Sequence, residues 1–340
     1  MNLTWPTRAG GRAGTSSDVM ATAVLASRVV VAAAVVIGLA APDRVERHAA
    51  VVLALGFAVG LPHGAIDHLL PARHRWLGPG RLRMVVLLAG YLATAALSFL
   101  GLVLATDVVL PLLLAVSVLH FGYGDLTALR GRPPTWDGAR STIGGLVDAV
   151  ARGAPILAGP LLCWPSVTGR AFGAMGWTDL PSRRATLLVA GALLAVSVVG
   201  VLRAWVAGQP ASALEIVLLA ALFVLLTPLA AFGVYFGAWH GLRHTARLLA
   251  DDPASRADLL VGRWGRPLVR FGRAAAVPSA AAVVVVVALG VVAADHNGLV
   301  APVFAVLLAL SVPHVVVVGW WDLCEGTPAP ANRELGPHPA

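Results

Sequence analysis

The sequence predicts an all-α fold, a polytopic transmembrane helical bundle of about 8–10 membrane segments. Three observations carry this reading. Hydrophobic residues make up 58% of the 340 and charged residues only 12%, half the roughly 25% found in soluble domains. Apolar runs of about 17–25 residues follow one another, each long enough to span a hydrocarbon core of roughly 30 Å. The basic residues are all arginine, 25 of them, and most gather in links between the runs, as expected of cytoplasmic loops, although the link at 163–184, which would lie outside, also carries arginines.

In chain order, residues 1–19 are polar, carry Arg8 and Arg12, and read as a cytoplasmic N-terminal tail. The run that follows exceeds a signal-peptide h-region and contains Arg28, so it reads as a retained anchor. Apolar segments fall at 20–41, 49–70, 84–105, 109–126, 141–162, 185–206, 214–229, 230–250, 274–294 and 299–321. Arginine-rich links follow the second (Arg73, Arg75, Arg81, Arg83), the fourth (Arg130, Arg132, Arg140) and the eighth (Arg256, Arg263, Arg266, Arg270, Arg273). Placing these links inside a cell (plasma) membrane puts the N-terminus in the cytoplasm. It also requires 214–250 to cross twice, with a break near Pro228. Residues 20–325 form one transmembrane domain, and 326–340 a polar, Pro-rich tail.

Several function classes drop out. A chain without lysine offers no side-chain amine for a retinal Schiff base, which excludes a rhodopsin. A net charge of +8 spread over short loops is the mark of membrane topology, so no nucleic-acid partner is expected. Two distant cysteines, Cys163 and Cys324, make neither a disulfide framework nor a CxxC site.

The informative residues are ionisable groups inside apolar segments, which are costly there and point to function. The eighth segment carries His240 and His244, four residues apart and on one helical face. Two neutral imidazoles so placed are half of a metal site. The second segment adds His63, Asp67 and His68, the fourth His120 and Asp125, and the tenth His314 and Asp322. All these segments run the same way, so His63, His120, His240, His244 and His314 come to similar depth on the cytoplasmic side. That is the geometry of a site built in a bundle core. His68 and His314 also read as interhelical hydrogen-bonding contacts, and His48, His74, His296 and His338 as solvated residues of loops and tail.

Asp67 and Asp125 suit outer partners that accept from the distal nitrogen of a ligand, the alternative being helix-end residues near water. Gly64, Gly122, Gly124, Gly237 and Gly241 flank the histidines and allow helices to approach closely. Phe121, Tyr123, Tyr235, Trp239 and Trp320, with His314, are the candidates for walls of a substrate tunnel.

The motifs PHGAIDH at 62–68, HFGYGD at 120–125 and WHGLRH at 239–244 resemble those of the Brp/Blh-type β-carotene 15,15′-dioxygenase family, over roughly residues 20–325. The resemblance implies cleavage of the central double bond of β-carotene by O₂ to two retinals. It also implies a non-haem Fe(2+) held by histidines matching His63, His120, His240 and His244. Imidazole spacing by itself does not choose among iron, copper, zinc and nickel. An apolar substrate entering from membrane lipid accounts for an intramembrane site, and a separate retinal-binding rhodopsin is the expected downstream partner. Two other readings of the histidines are a membrane di-iron desaturase or hydroxylase, which needs about eight histidines in HxxxH and HxxHH clusters, and a transporter with a His/Asp proton relay.

Overall fold

The structure is a computed structural model that describes residues 12–73, 80–130, 143–292 and 300–326. The sequence expectations for Arg8, His74, Arg75, Arg132, Arg140, His296, His338 and the Pro-rich tail from 327 onward lie outside the described residues. All described secondary structure is helical. The chain begins with α1 (Arg12–Ala40), the short α2 (Pro42–Arg47) and α3 (Ala49–Ala65), which ends in a 3₁₀ turn (Asp67–Leu69) and a single turn α4 (Leu70–Arg73). The long helices α5 (Arg81–Leu104) and α6 (Thr106–Arg130) follow, then α7 (Ile143–Gly153), α8 (Pro155–Cys163) and α9 (Pro165–Ala174). The second half holds α10 (Arg183–Val206), α11 (Pro210–Leu225) and α12 (Pro228–Val234). A π-helical stretch (Tyr235–Gly241) then runs into α13 (Leu242–Asp251), followed by α14 (Pro253–Leu260), α15 (Gly265–Val292) and α16 (Val300–Gly326).

Proline sets many of the boundaries. Pro42, Pro155, Pro165, Pro210, Pro228 and Pro253 all stand in the first turn of a helix, where the missing N–H costs nothing and the fixed φ favours helix entry. The break expected near Pro228 is present: Leu226 is extended at φ −98°, ψ 149°, and α12 starts two residues later. Asp252 caps α14 by accepting from the Ser255 amide at 3.0 Å. Gly208 and Gly262, at φ 70° and 72°, stop α10 and α14 in the left-handed conformation that glycine adopts without penalty.

Each of the ten apolar segments recurs as a helix, or as a bent helix pair. Among the described residues seven helices are long and apolar enough to cross a membrane, and the count reaches eight if α7–α8, bent by 46°, is one broken span. The apolar α11 is shorter, and the continuous helical stretch from Pro228 to Asp251 carries Arg243 and Arg247 with its histidines. The chain is therefore a multi-pass membrane protein, with a span count at the lower end of the expected range.

The outer faces of α5, α10 and α15 are rows of exposed leucine and valine, among them Leu92, Leu97, Leu188, Val199 and Val284. Such a belt suits lipid. The inner faces of α3, α6, α13 and α16 bury polar groups instead. Their C-terminal ends meet at one end of the bundle: Arg73 beyond α3 lies 3.8 Å from Asp251 at the end of α13, and Arg247 pairs with Asp322 of α16 at 2.6 Å. Ala128 near the end of α6 packs with Ala246 and Leu249 of α13, so these four helices run in the same sense.

Candidate metal centre

Close helix approach builds the centre. A Cβ on Gly56 would collide with the carbonyl of Gly233, one on Gly237 would lie 2.8 Å from the Gly56 Cα, and one on Gly241 2.7 Å from the Gly60 Cα. Only glycines let α3 sit this near the π-helical stretch, and the contact carries His63 to His240 and His244. On the other side, Gly122 of α6 meets the backbone of Ala149 and Gly153 of α7 meets that of Val118, which draws α6 against α7 beside His120. Gly64 and Gly124 act differently: a Cβ there would be in ordinary contact with His314 and His240, at 3.6 Å.

Five imidazoles converge. Ring centroids lie at 5.0 Å for His63–His240 and for His63–His244, 5.2 Å for His63–His314, 5.1 Å for His120–His240 and 4.9 Å for His120–His314. His244 lies 6.0 Å from His240 and 5.3 Å from His314. The i, i+4 pair is reached through the π-helical stretch that ends at Gly241, a departure from regular α-helix frequent at functional sites. Ligand atoms of His63, His240 and His314 lie within 4.8 Å of one another, all three residues buried. His244 Nε2 and His314 Nε2 are buried without a hydrogen-bond partner. A ring nitrogen left so, beside other imidazoles and away from water, fits a metal ligand. The donor set therefore suits a transition ion.

The carboxylates take distinct places. Asp67, 1% exposed, accepts from His314 Nδ1 at 2.7 Å and from the Tyr91 hydroxyl at 3.0 Å. Asp125 accepts from the Trp239 indole N–H through both oxygens at 2.9 Å and lies 3.6 Å from Arg243. It bears on the His240 turn through these two side chains. His68 turns its Nδ1 to the Ala65 carbonyl at 3.1 Å.

A cavity of about 1110 Å³ opens beside the histidines, beyond the roughly 300–1,000 Å³ of sites for drug-sized molecules. Its walls are almost wholly apolar, and His63, His120, His240 and His314 stand in them. From His120 to Leu110 on α6, and from His314 to Phe304 on α16, it follows the helices for ten residues, about 15 Å at 1.5 Å per residue. Phe121 lines it, as does His314, whereas Tyr123 lines a smaller cavity of about 400 Å³ that shares His120 and His240. The remaining expected wall residues, Tyr235, Trp239 and Trp320, are not among the residues lining either cavity. Tyr235 and Trp239 are fully buried in the packed core with Phe223 and Ala230, and Trp320 packs beside Ile66 and Trp321. Phe232, Phe236 and Phe304 stand in the large cavity instead.

Sequence reasoning missed a buried ionic cluster. Glu215 of α11, 0% exposed, accepts from Arg28 at 2.9 Å, Arg152 at 2.9 Å and Arg243 at 2.8 Å. Arg152 also donates to the Ser212 hydroxyl, and Arg243 to that of Ser27 at 2.8 Å. Arg243 stacks over Trp239 at 3.6 Å and adjoins His244 in the chain, so the cluster anchors the helix that bears two of the histidines. The signal was present: a glutamate inside the apolar run ALEIVLLAALFVL and an arginine in VDAVARGAPI are as anomalous as the histidines.

The family profile described as Beta-carotene 15,15′-dioxygenase matches residues 54–322, which include all five histidines. The chain belongs to this family. Relatives agree: a protein of Halobacterium salinarum named "Probable beta-carotene 15,15′-dioxygenase Blh" is 34% identical over 298 residues, covering 78% of this chain and 82% of the relative. The same organism's "Probable beta-carotene 15,15′-dioxygenase Brp" is 30% identical over 346 residues, covering 85% and 87%. No solved structure matches.

Proposed function

We propose that this chain cleaves the central 15,15′ double bond of β-carotene with O₂, giving two molecules of retinal, at an intramembrane non-haem iron. The observation that carries the proposal is the buried histidine cluster standing in the wall of a long apolar cavity. A proton-relay transporter calls for ionisable groups strung along a path, whereas these five imidazoles converge on one point. The curated relatives, each named a probable β-carotene 15,15′-dioxygenase, support the substrate class.

His63, His120, His240 and His244 would hold the ion. Iron bound there supplies the redox chemistry that O₂ needs to attack an unactivated alkene. The chain's own residues do the rest. The apolar walls take the polyene out of lipid and exclude water. Phe121, whose ring lies 4.8 Å from that of His240, and Phe236, 5.6 Å from His63, flank the imidazoles and confine the polyene beside them. The reaction balances without a further reductant: one C=C bond breaks, two C=O bonds form, and each aldehyde keeps one atom of O₂. With no lysine to trap it, the product leaves as free aldehyde, suited to transfer to a separate rhodopsin. The arginine-rich links support a plasma-membrane protein with its N-terminus in the cytoplasm.

Cells that accumulate β-carotene test the proposal. Expression of this chain should bleach their colour and produce retinal. Unchanged carotenoid in cells shown to contain the folded, iron-bearing protein would reject β-carotene as substrate.

A further inference from the structure

The ligand set proposed above draws on α3, α6 and the α12–α13 stretch and leaves α16 without a role. Yet His314 of α16 touches three of those four residues, with ring centroids 5.2 Å from His63, 4.9 Å from His120 and 5.3 Å from His244. Its ligand atom lies within 4.8 Å of those of His63 and His240. The residue is 6% exposed and follows Pro313, as His63 follows Pro62.

The hydrogen bonding of the ring fixes what it can do. Nδ1 donates to Asp67 Oδ2 at 2.7 Å, because an ionised carboxylate can only accept. The neutral imidazole then carries its lone pair on Nε2, and Nε2 is buried with no partner. Asp67 is itself held in place: the Tyr91 hydroxyl of α5 donates to the same Oδ2 at 3.0 Å. A merely interhelical contact accounts for the Nδ1 bond but leaves a desolvated acceptor among four other imidazoles. A carboxylate behind one nitrogen and a metal in front of the other is how ligating histidines are commonly oriented.

We infer that His314 is a fifth metal ligand, through Nε2, and that Asp67 and Tyr91 are the positioning residues that set its tautomer and aim. This rests on the metal-centre reading above. It gives α5 and α16 a share in the centre, so that helices from both ends of the sequence must be assembled before the ion is fully held.

The test uses the full chain in detergent, stripped and reloaded with Co²⁺, whose ligand-field absorption reports the number and kind of ligands without turnover. The wild type should take up one ion per chain. His314→Gln, which can still donate to Asp67 but offers no imidazole, should shift the visible bands and weaken Co²⁺ binding at least tenfold. Added free imidazole should restore the spectrum of His314→Ala. Asp67→Asn should lower affinity by roughly 10–100-fold with the bands largely kept, and Tyr91→Phe should lower it by less. Helical circular dichroism and melting show which variants are folded. A folded His314→Gln with the wild-type spectrum and affinity would overturn the inference and return His314 to an interhelical contact. A wild type that binds no Co²⁺ would instead sink the metal-centre reading, and the inference with it.

Discussion

Replacing Glu215 by glutamine keeps the shape of the side chain and removes one charge from the middle of the bundle. Three guanidiniums face this carboxylate, and two of them, Arg152 and Arg243, are 1% and 3% exposed. With Asp125 near Arg243, the cluster holds three positive and two negative groups, and the substitution leaves three against one. Opposite unit charges about 4 Å apart attract by about 4 kcal/mol at an effective dielectric constant of 20, and relaxation and water entry return part of what is lost. Breaking a buried pair from one side costs about 3–5 kcal/mol, two to nearly four orders of magnitude in the folded-to-unfolded ratio. Equilibrium unfolding of Glu215→Gln in detergent, monitored by helical circular dichroism, reads this directly. Iron retention should fall as well, because Arg243 adjoins His244 and stacks on Trp239. The double variant Arg152→Met/Glu215→Leu removes both charges of one pair and should recover part of the loss. A single variant within about 1 kcal/mol of wild type, paired with a more damaged double variant, would refute the reasoning.

Other expectations follow from the same contacts. His240→Ala and His244→Ala should each abolish cleavage in a protein that remains helical and membrane-inserted, and activity retained in either removes that residue from the ligand set. Gly237→Ala should push α3 from the π-helical stretch and cost about 1–3 kcal/mol, with weaker iron retention; unchanged stability and iron content would mean that the two backbones are not in contact. Ala95→Trp, on the α5 wall of the large cavity, should cut turnover at least tenfold while leaving bound iron at the wild-type level. Full turnover in that variant would show that substrate does not occupy the cavity.

The bundle was legible because apolar runs and arginine-rich links are local properties, and both the segments and the break at Pro228 come from them. The histidines of the centre were legible because an ionisable group in an apolar run is anomalous wherever it packs. What a single chain position does not reveal is which helix faces which. Asp67 reads from the sequence as a partner for a ligand's distal nitrogen, yet the histidine it meets is 247 residues away on α16, and Tyr91, one of several aromatics, gives no sign of joining them. Tyr235 and Trp239 flank His240 in sequence but face the core, since the side chains around the π-helical stretch divide between cavity and packing. The Glu215 cluster draws its arginines from α1, α7 and α13, and only the assembled fold pairs them.

Product stoichiometry is the most direct test of symmetric cleavage at the histidine centre. Purified, iron-loaded protein given β-carotene and O₂ should form two retinals for each β-carotene consumed, with no longer apocarotenals, and the metal-stripped protein should form none. Equimolar unequal fragments would contradict central cleavage, and equal turnover by the stripped protein would contradict the metal centre.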